Sequence, residues 1–416
     1  MLIDTVIIPV GGKGTRMASV SPTCPKPLLQ VQGKTIICHT LDSLKDFCFK
    51  QVIFTLSHES AVFADYLDSI KSSYPFNITT FVEPYPLGEA GALWQLRDSL
   101  PANFLVINGD LIFSIDFNRL FAFHFRNNAD ITVVTHTSTH PEDSDLVSTS
   151  FGDIVSDLYL KSSPNHEFNS KLAYLGNAGI VCIRSSTLDS INPPPKDSAT
   201  TSIFQYLVHA SFKSSLHIFS YNTTEYIKDM GTPARFRQVG EDLVNGLPSR
   251  LSYENQQSAL FLDRDGTLNH CEKGNYIVSS DDLVFFEDRI KSIAKLSTQY
   301  NLVCLVTNQP QLAMGFLSFK NLEHIHACLV SYALRLGLKI DVISFCPHHP
   351  HSGFSGEIPY LKTNCFCRKP LPGQFLEQIF LRNIDLKSSL MIGDSHSDYV
   401  ASTSINLPYL DVTTLD

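Results

Sequence analysis

Short, unbroken apolar runs punctuate the chain. Thr5-Val-Ile-Ile-Pro-Val, Gln51-Val-Ile-Phe-Thr-Leu, Asn103-Phe-Leu-Val-Ile-Asn, Ile131-Thr-Val-Val-Thr and Ala178-Gly-Ile-Val-Cys-Ile are all of strand length. They are too continuous to leave one face to solvent. Helix-like stretches separate them, and strands alternating with helices predict a mostly parallel α/β sheet. The pattern lapses over the polar stretch Gln238–Ser258, which holds Gly246-Leu-Pro-Ser and Asn255-Gln-Gln. It resumes at Ala259-Leu-Phe-Leu, Leu302-Val-Cys-Leu-Val and Leu390-Met-Ile. Two α/β domains are therefore expected, at 1–240 and 258–416, joined by a linker at 241–257. No run approaches the ~18 apolar residues that span a bilayer. Met1-Leu-Ile-Asp-Thr lacks a basic n-region, so no secretory signal is expected.

Composition narrows the class. Of 416 residues, 43% are apolar, enough for two cores. Against 41 Asp+Glu stand 32 Lys+Arg, a net charge of −9 with no basic block. That removes the electrostatic basis for general nucleic-acid binding. Collagen-like, coiled-coil, disordered and integral-membrane classes are excluded. Cys24, Cys38, Cys48, Cys182, Cys271, Cys304 and Cys328 are scattered, several in apolar runs where a thiol acts as a small hydrophobe. Cys346, Cys365 and Cys367 are bunched with histidines. This is a cytosolic pattern with one candidate metal site and no disulfide framework.

Directly after the first strand comes Gly11-Gly12-Lys13-Gly14-Thr15-Arg16. Glycines let backbone N–H groups line a phosphate, and Arg16 adds a charged fork. A dinucleotide fingerprint fails at Met17, and Leu28 rules out a P-loop at Gly33-Lys34-Thr35. Alone, the segment is equally an ordinary turn. Lys26 follows on a stiff Pro-Lys-Pro turn, and Asn108-Gly109-Asp110 ends a strand, where open α/β sheets bind ligands. Asp229 stands far downstream in Asp229-Met-Gly-Thr-Pro233. Each aspartate singly reads as a turn or helix-cap residue.

Taken together, Gly-Gly-Lys-Gly-Thr-Arg, Pro-Lys-Pro-Leu, Glu83-Pro-Tyr-Pro-Leu-Gly-Glu-Ala-Gly-Ala, Asn-Gly-Asp, Gly176-Asn-Ala-Gly and Asp-Met-Gly-Thr-Pro resemble the sugar-1-phosphate nucleotidyltransferases, in family order over residues 6–236. The Glu-Pro-x-Pro-Leu-Gly form is most similar to the heptose- and mannose-1-phosphate guanylyltransferase branch. The resemblance implies a Rossmann-like, GT-A-like fold in which a sugar-phosphate oxygen attacks the α-phosphorus of a nucleoside triphosphate and displaces pyrophosphate. Gly11, Gly12, Gly14, Thr15, Arg16 and Lys26 would then hold the triphosphate, Arg16 and Lys26 acting in catalysis. Asp110 and Asp229 would hold Mg²⁺, Gly88 would lie near the nucleoside, and Lys161 and Asn177 near the sugar. Two departures stand out: Leu160-Lys161 replaces a Glu-Lys pair, and Val10 stands where the family has alanine in Ala-Gly-Gly.

The second half opens with Asp263-Arg264-Asp265-Gly266-Thr267, two aspartates that project alike from a strand end. A calcium-type or chance turn is the bland reading of that motif alone. Thr307-Asn308-Gln309, Arg368-Lys369-Pro370 and Gly393-Asp394 follow in order, and the set resembles the haloacid-dehalogenase (HAD) phosphatases over 259–400. The resemblance implies a HAD-type Rossmannoid fold with Asp263 as nucleophile and Asp265 as general acid/base. Thr307, Asn308, Arg368 and Lys369 would bind phosphate. Mg²⁺ would sit on Asp263, the Asp265 backbone carbonyl and Asp394, with Asp398 supporting this shell or serving as a helix-turn aspartate. Cys346, His348, Cys365 and Cys367 form two tight pairs suited to structural Zn²⁺, with His349 and His351 as nearby substitutes for His348. This zinc loop is similar to that of heptose-bisphosphate phosphatases and, further off, histidinol phosphatases. Pro310-Gln311 and Met314 depart from the usual Ser-Gly-x-x-Arg, and Ser395 from a lysine.

The two resemblances converge on a bifunctional enzyme of GDP-heptose synthesis. One domain would remove the 7-phosphate of D-glycero-D-manno-heptose 1,7-bisphosphate; the other would join the α-1-phosphate to GTP. Such products serve bacterial surface polysaccharides such as lipopolysaccharide, made in the cytoplasm. Partners would be these small molecules, without nucleic acid or membrane; an oligomer is not readable. Open alternatives are another sugar phosphate with UTP, histidinol phosphate for the phosphatase, and a scaffold without turnover.

Overall fold

The computed structural model describes residues 3–415 apart from 11–23, 57–59, 86, 151–152, 196–201, 215 and 273. By its contacts the chain divides into two compact units. One comprises residues 1–135, 151–160 and 177–252, the other 136–150, 161–176 and 253–416.

In the first unit the strand Thr5–Pro9, buried throughout, lies parallel between Gln51–Leu56 and Asn103–Ile107. Asn77–Val82 extends this sheet in parallel. The expected direction fails on the other side: Leu175–Arg184 runs antiparallel to Asn103–Ile107, with Ile180 opposite Ile107. Both orientations bury such a strand on two faces, so its apolar pattern carries no information about direction. A two-stranded ribbon pairs Leu111–Ser114 with Tyr226–Asp229, antiparallel, with Asp229 opposite Leu111. Aromatic rings fill the core beneath: Phe117 meets Phe47, Phe49 and Phe113 edge-on at 5.1, 5.5 and 5.8 Å. The helix Gly88–Leu96 carries Trp94, the single tryptophan, buried edge-on to Tyr206 at 6.1 Å.

The stretch expected as a linker, 241–257, takes in the end of one helix and a second short one. Thr232 caps the helix Pro233–Val244 by accepting the Arg235 N–H, with proline in the first turn. Asp242 on that helix is held by Lys228 (2.7 Å), Tyr226 (2.9 Å) and Gln238 (3.0 Å). A short turn of helix, Leu247–Arg250, follows, and the two units part between residues 252 and 253. A helix with one polar face and a composition rich in charge reads as a linker until its partners are seen.

The second unit is built on five parallel strands in the order Val342–Cys346, Leu302–Asn308, Ala259–Leu262, Leu390–Gly393, Tyr409–Asp411. Helices Glu287–Ser297 and Phe319–Arg335 bury Ile290, Ile293, Leu329 and Val330 against the inner strands. The central strand Ala259–Leu262 is wholly buried, which places its carboxyl end deep in the sheet. Cys182 and Cys304 are core residues in their respective units; burial pushes the Cys304 thiol up to about 12. Among the described residues there is no disulfide, and no helix is long and apolar enough to cross a membrane.

Candidate active sites

The first site forms at the carboxyl end of Asn103–Ile107. Gly109 follows, and a Cβ there would lie 2.5 Å from Val10 Cγ1 and 2.7 Å from the Pro9 carbonyl oxygen. Only glycine lets the two strand ends close together and carry Asp110 forward. Lys26, delivered by the short helix Lys26–Leu28, forms an ion pair with Asp110. The Met230 N–H donates to the Asp110 carbonyl (3.1 Å), which seats Asp229 beside it on the paired strand. Asp229 accepts from Arg235 Nη1 at 3.0 and 3.2 Å and from the Gly231 N–H at 2.8 Å. Burial works to raise its pKa, but Arg235, the Gly231 N–H and Lys26 outweigh it and hold the carboxyl below its usual range. The result is two adjacent carboxylates ringed by cations, oxygen donors of the kind Mg²⁺ takes.

Other expected contributors fall around this centre. Glu83 accepts the Leu87 N–H (2.8 Å) and turns the chain into the helix that starts at Gly88, whose φ is +69°. Asn177 accepts the Gly179 N–H (3.1 Å), and Gly179 lies so close to Asn108 that a Cβ would meet its Nδ2 at 2.9 Å. Asn177 thus holds the strand backbone that faces Asn108. Lys161 has an exposed side chain, groups with the second unit and donates its backbone N–H to Asp145 (2.8 Å). Gly11, Gly12, Gly14, Thr15 and Arg16 lie outside the described residues.

The second site gathers at the carboxyl ends of three parallel strands. Asp263 is buried at the end of the central one, 2.8 Å from Lys369 Nζ. Lys369 also pairs with Asp398 (2.5 Å) and donates to the Val306 carbonyl (2.8 Å). Asn308 and Lys369 clasp each other: the Lys369 N–H donates to Asn308 Oδ1 (3.0 Å) and Asn308 Nδ2 to the Lys369 carbonyl (2.9 Å). Thr307 lies on the neighbouring strand, its hydroxyl accepting from Gln309 Nε2 at 2.9 Å. Asp394 follows the Leu390–Gly393 strand, and a Cβ on Gly266 would fall 2.1 Å from its Oδ2. Ligand oxygens of Asp263, Asp394 and Asp398 lie within 4.8 Å of one another. Burial, then the charge of Asp398, push Asp263 up to about 7 despite Lys369. Three carboxylates against one ammonium leave an excess of negative charge, the environment a hard divalent cation fits.

The carboxylate of Asp265 stands outside this trio and has partners of its own. It accepts from Arg264 Nε (3.0 Å) and Nη2 (2.8 Å), Asn269 Nδ2 (3.0 Å) and Gln309 Nε2 (3.1 Å). Asp398 is fully buried and does double service, pairing with Lys369 and capping the helix His396–Thr403 through Ser395. Ser395 is that helix's N-cap. Arg368, next to Lys369, donates to the His348 carbonyl (3.4 Å), which ties this pair of cations to the cysteine loop.

Cys346, His348, Cys365 and Cys367 converge. Sulfur–sulfur separations are 3.3, 3.4 and 3.5 Å, and His348 Nδ1 stands 3.3 Å from Cys367 Sγ and 3.6 Å from Cys346 Sγ. Ligands of a tetrahedral zinc with ~2.3 Å bonds stand about 3.8 Å apart, so the four atoms are close to a zinc cage. The contact with Cys346, then those with Cys365 and His348, pull the Cys367 thiol down to about 5 despite burial. His349 and His351 face each other instead, through His349 Nδ1 and the His351 backbone.

The sequence reading missed Arg235 and Arg264. Arg235 lies six residues after Asp229, in the first turn of the helix Pro233–Val244, just beyond the Asp-Met-Gly-Thr-Pro segment. Arg264 lies between the two aspartates and is 0% exposed; a charged residue that follows a fully apolar strand was the available signal.

Residues 5–244 match the nucleotidyl transferase family. Mannose-1-phosphate guanyltransferase of Yarrowia lipolytica is 29% identical over 55% of this chain and 61% of its own length. The chain thus spans about three-fifths of that relative. D-glycero-beta-D-manno-heptose-1,7-bisphosphate 7-phosphatase of Yersinia pestis is 34% identical over 36% of this chain and 76% of its own. The alpha-named counterpart of Photorhabdus laumondii is 31% identical over 37% and 81%. The chain belongs to the nucleotidyl transferase family and, in its C-terminal part, to the heptose-1,7-bisphosphate 7-phosphatases, so that two enzyme families are joined in one polypeptide.

Proposed function

We propose that the chain is a bifunctional enzyme of GDP-heptose synthesis in the bacterial cytoplasm. The observation that carries this reading is Asp263, a carboxylate buried at the end of the central strand and held by Lys369, within a region 34% identical to a heptose-bisphosphate phosphatase. Asp263 attacks the 7-phosphorus of heptose 1,7-bisphosphate, and the sugar oxygen leaves with a proton from Asp265. Water then hydrolyses the aspartyl-phosphate, with Asp265 taking its proton. Thr307 and Lys369 hold the phosphoryl oxygens, while Asn308 fixes Lys369.

The freed heptose 1-phosphate attacks the α-phosphorus of GTP in the first unit, and pyrophosphate leaves. Lys26 and Arg16 offset the charge that builds on the phosphates. Asp110 with Asp229, and Asp263 with Asp394, would hold Mg²⁺, which supplies further positive charge in both reactions. Structural Zn²⁺ would close the loop carrying Arg368 and Lys369. The Yarrowia relative's name makes mannose 1-phosphate the competing sugar, and both anomers occur among the phosphatase relatives' names.

A phosphorus NMR time course with Mg²⁺, α-heptose 1,7-bisphosphate and equal GTP, ATP, UTP and CTP tests the whole reading. Phosphate release followed by a GDP-sugar resonance is expected. Phosphate release without a sugar nucleotide would remove heptose as the transferase's sugar. No phosphate release would remove the bisphosphate as substrate.

A further inference from the structure

Asp265 is gripped from two sides. From its own strand end, Arg264 makes a two-pronged contact at 3.0 and 2.8 Å, and the whole guanidinium is buried at 0% exposure. From the next strand, Gln309 Nε2 donates at 3.1 Å. An amide can present either end, and Gln311 decides which. Gln311 Nε2 donates both to Gln309 Oε1 (2.5 Å) and to the Ile277 carbonyl (3.3 Å). With its oxygen so occupied, Gln309 turns its NH₂ group toward Asp265 and Thr307. Gln311 is one of the two residues that replace Ser-Gly of the relatives, so the altered segment is structurally employed.

We propose that Arg264 and Gln311 are positioning residues for the acid/base Asp265: Arg264 directly, Gln311 by orienting Gln309. The proposal rests on the phosphatase reading. Asp265 must hand a proton to the departing oxygen as the Asp263–phosphorus bond forms, and take one from water as that bond breaks. A carboxylate free to swing would meet neither oxygen at hydrogen-bond distance for much of the time. A buried guanidinium makes the restraint rigid, because leaving Asp265 would strand its charge away from water.

The test separates proton delivery from general damage by changing the leaving group. A sugar phosphate leaves as an alkoxide and needs the proton; p-nitrophenyl phosphate leaves as a stable phenolate and does not. Asp265→Asn sets the reference pattern. Arg264→Met is expected to lower kcat on heptose 1,7-bisphosphate by ~10²-fold or more, with KM within about threefold. On p-nitrophenyl phosphate it should give a burst of nitrophenolate and accumulation of ³²P-labelled aspartyl-phosphate, since the second step still requires Asp265. Gln311→Leu, a milder change, should show the same pattern with about tenfold losses. Equal losses on both substrates in Gln311→Leu, with no trapped phosphoenzyme, would assign these residues a merely structural role and overturn the proposal. It decides the matter if Arg264→Met does not fold. Unaltered protein inert toward both esters would instead defeat the phosphatase reading on which the proposal stands.

Discussion

Gly266 marks how finely the second site is fitted. Its φ is +83°, and any Cβ would overlap the Asp394 carboxylate at 2.1 Å. Gly266→Ala is expected to lower phosphate release at least ~10²-fold by displacing Asp394, while nucleotidyl transfer from supplied sugar 1-phosphate persists. A malachite-green assay beside a pyrophosphate assay checks both. His124 offers a second single-residue test. It is buried between Asn103 Oδ1 (3.2 Å) and Thr132 Oγ1 (2.8 Å), so Nε2 carries the proton and Nδ1 accepts the hydroxyl. Burial, and then Arg184, pull its pKa down to about 4. The unfolded chain, with histidine near 6.5, takes up a proton the folded unit refuses. Stability is therefore complete above that value and falls as pH drops from about 6.5 to 4, by up to about 3 kcal/mol. Urea unfolding at pH 7 and pH 4.5 should show this loss, smaller in His124→Gln; equal losses would assign the acid sensitivity to other groups. At this scale the aspartates and Lys369 were legible because their motifs are contiguous. Arg235, Arg264 and the Lys369–Asp398 pair were not, since nothing in linear spacing states which cation will face which carboxylate.

Among elements, the cysteine loop is the most specified. Its two ligand pairs bracket 16 residues, 349–364, which contain little regular structure beyond the 3₁₀ turn Pro359–Leu361. Such a loop gains its order from closure, which a metal held by the four side chains would supply. About one zinc per chain is expected by elemental analysis. Cys365→Ser should lose most of it and depress phosphatase turnover more than nucleotidyl transfer; full zinc retention would contradict the ligand set. The grouping of these four side chains was readable from sequence because thiolates and imidazole at close spacing have few other uses. Strand direction was not readable, since Leu175–Arg184 is equally apolar on both faces. Nor was the helix Pro233–Val244, which runs into the expected linker and whose partners Lys228 and Tyr226 lie on a separate strand.

For the whole molecule the central expectation is that two chemistries share one chain without sharing reacting groups. Asp263→Asn should abolish phosphate release, more than ~10³-fold, and leave transfer of GMP to supplied heptose 1-phosphate within about twofold. Loss of both would mean that the units do not act independently. Division into two α/β series was legible from the lapse in apolar runs. The grouping of residues 136–150 and 161–176 with the second unit was not, because those segments share the alternating pattern of the first.

Trp94 lies in the unit that holds the first site, on the helix that begins at Gly88, and the second unit contains no tryptophan. Indole emission excited at 295 nm therefore reports on one half of the chain alone. A nucleoside triphosphate titrated into Asp263→Asn protein should change that emission saturably, whereas phosphate esters reaching only the second site should leave it still. The chain is thus born with a built-in optical label, and occupancy of one active site can be followed by light while the other is silent.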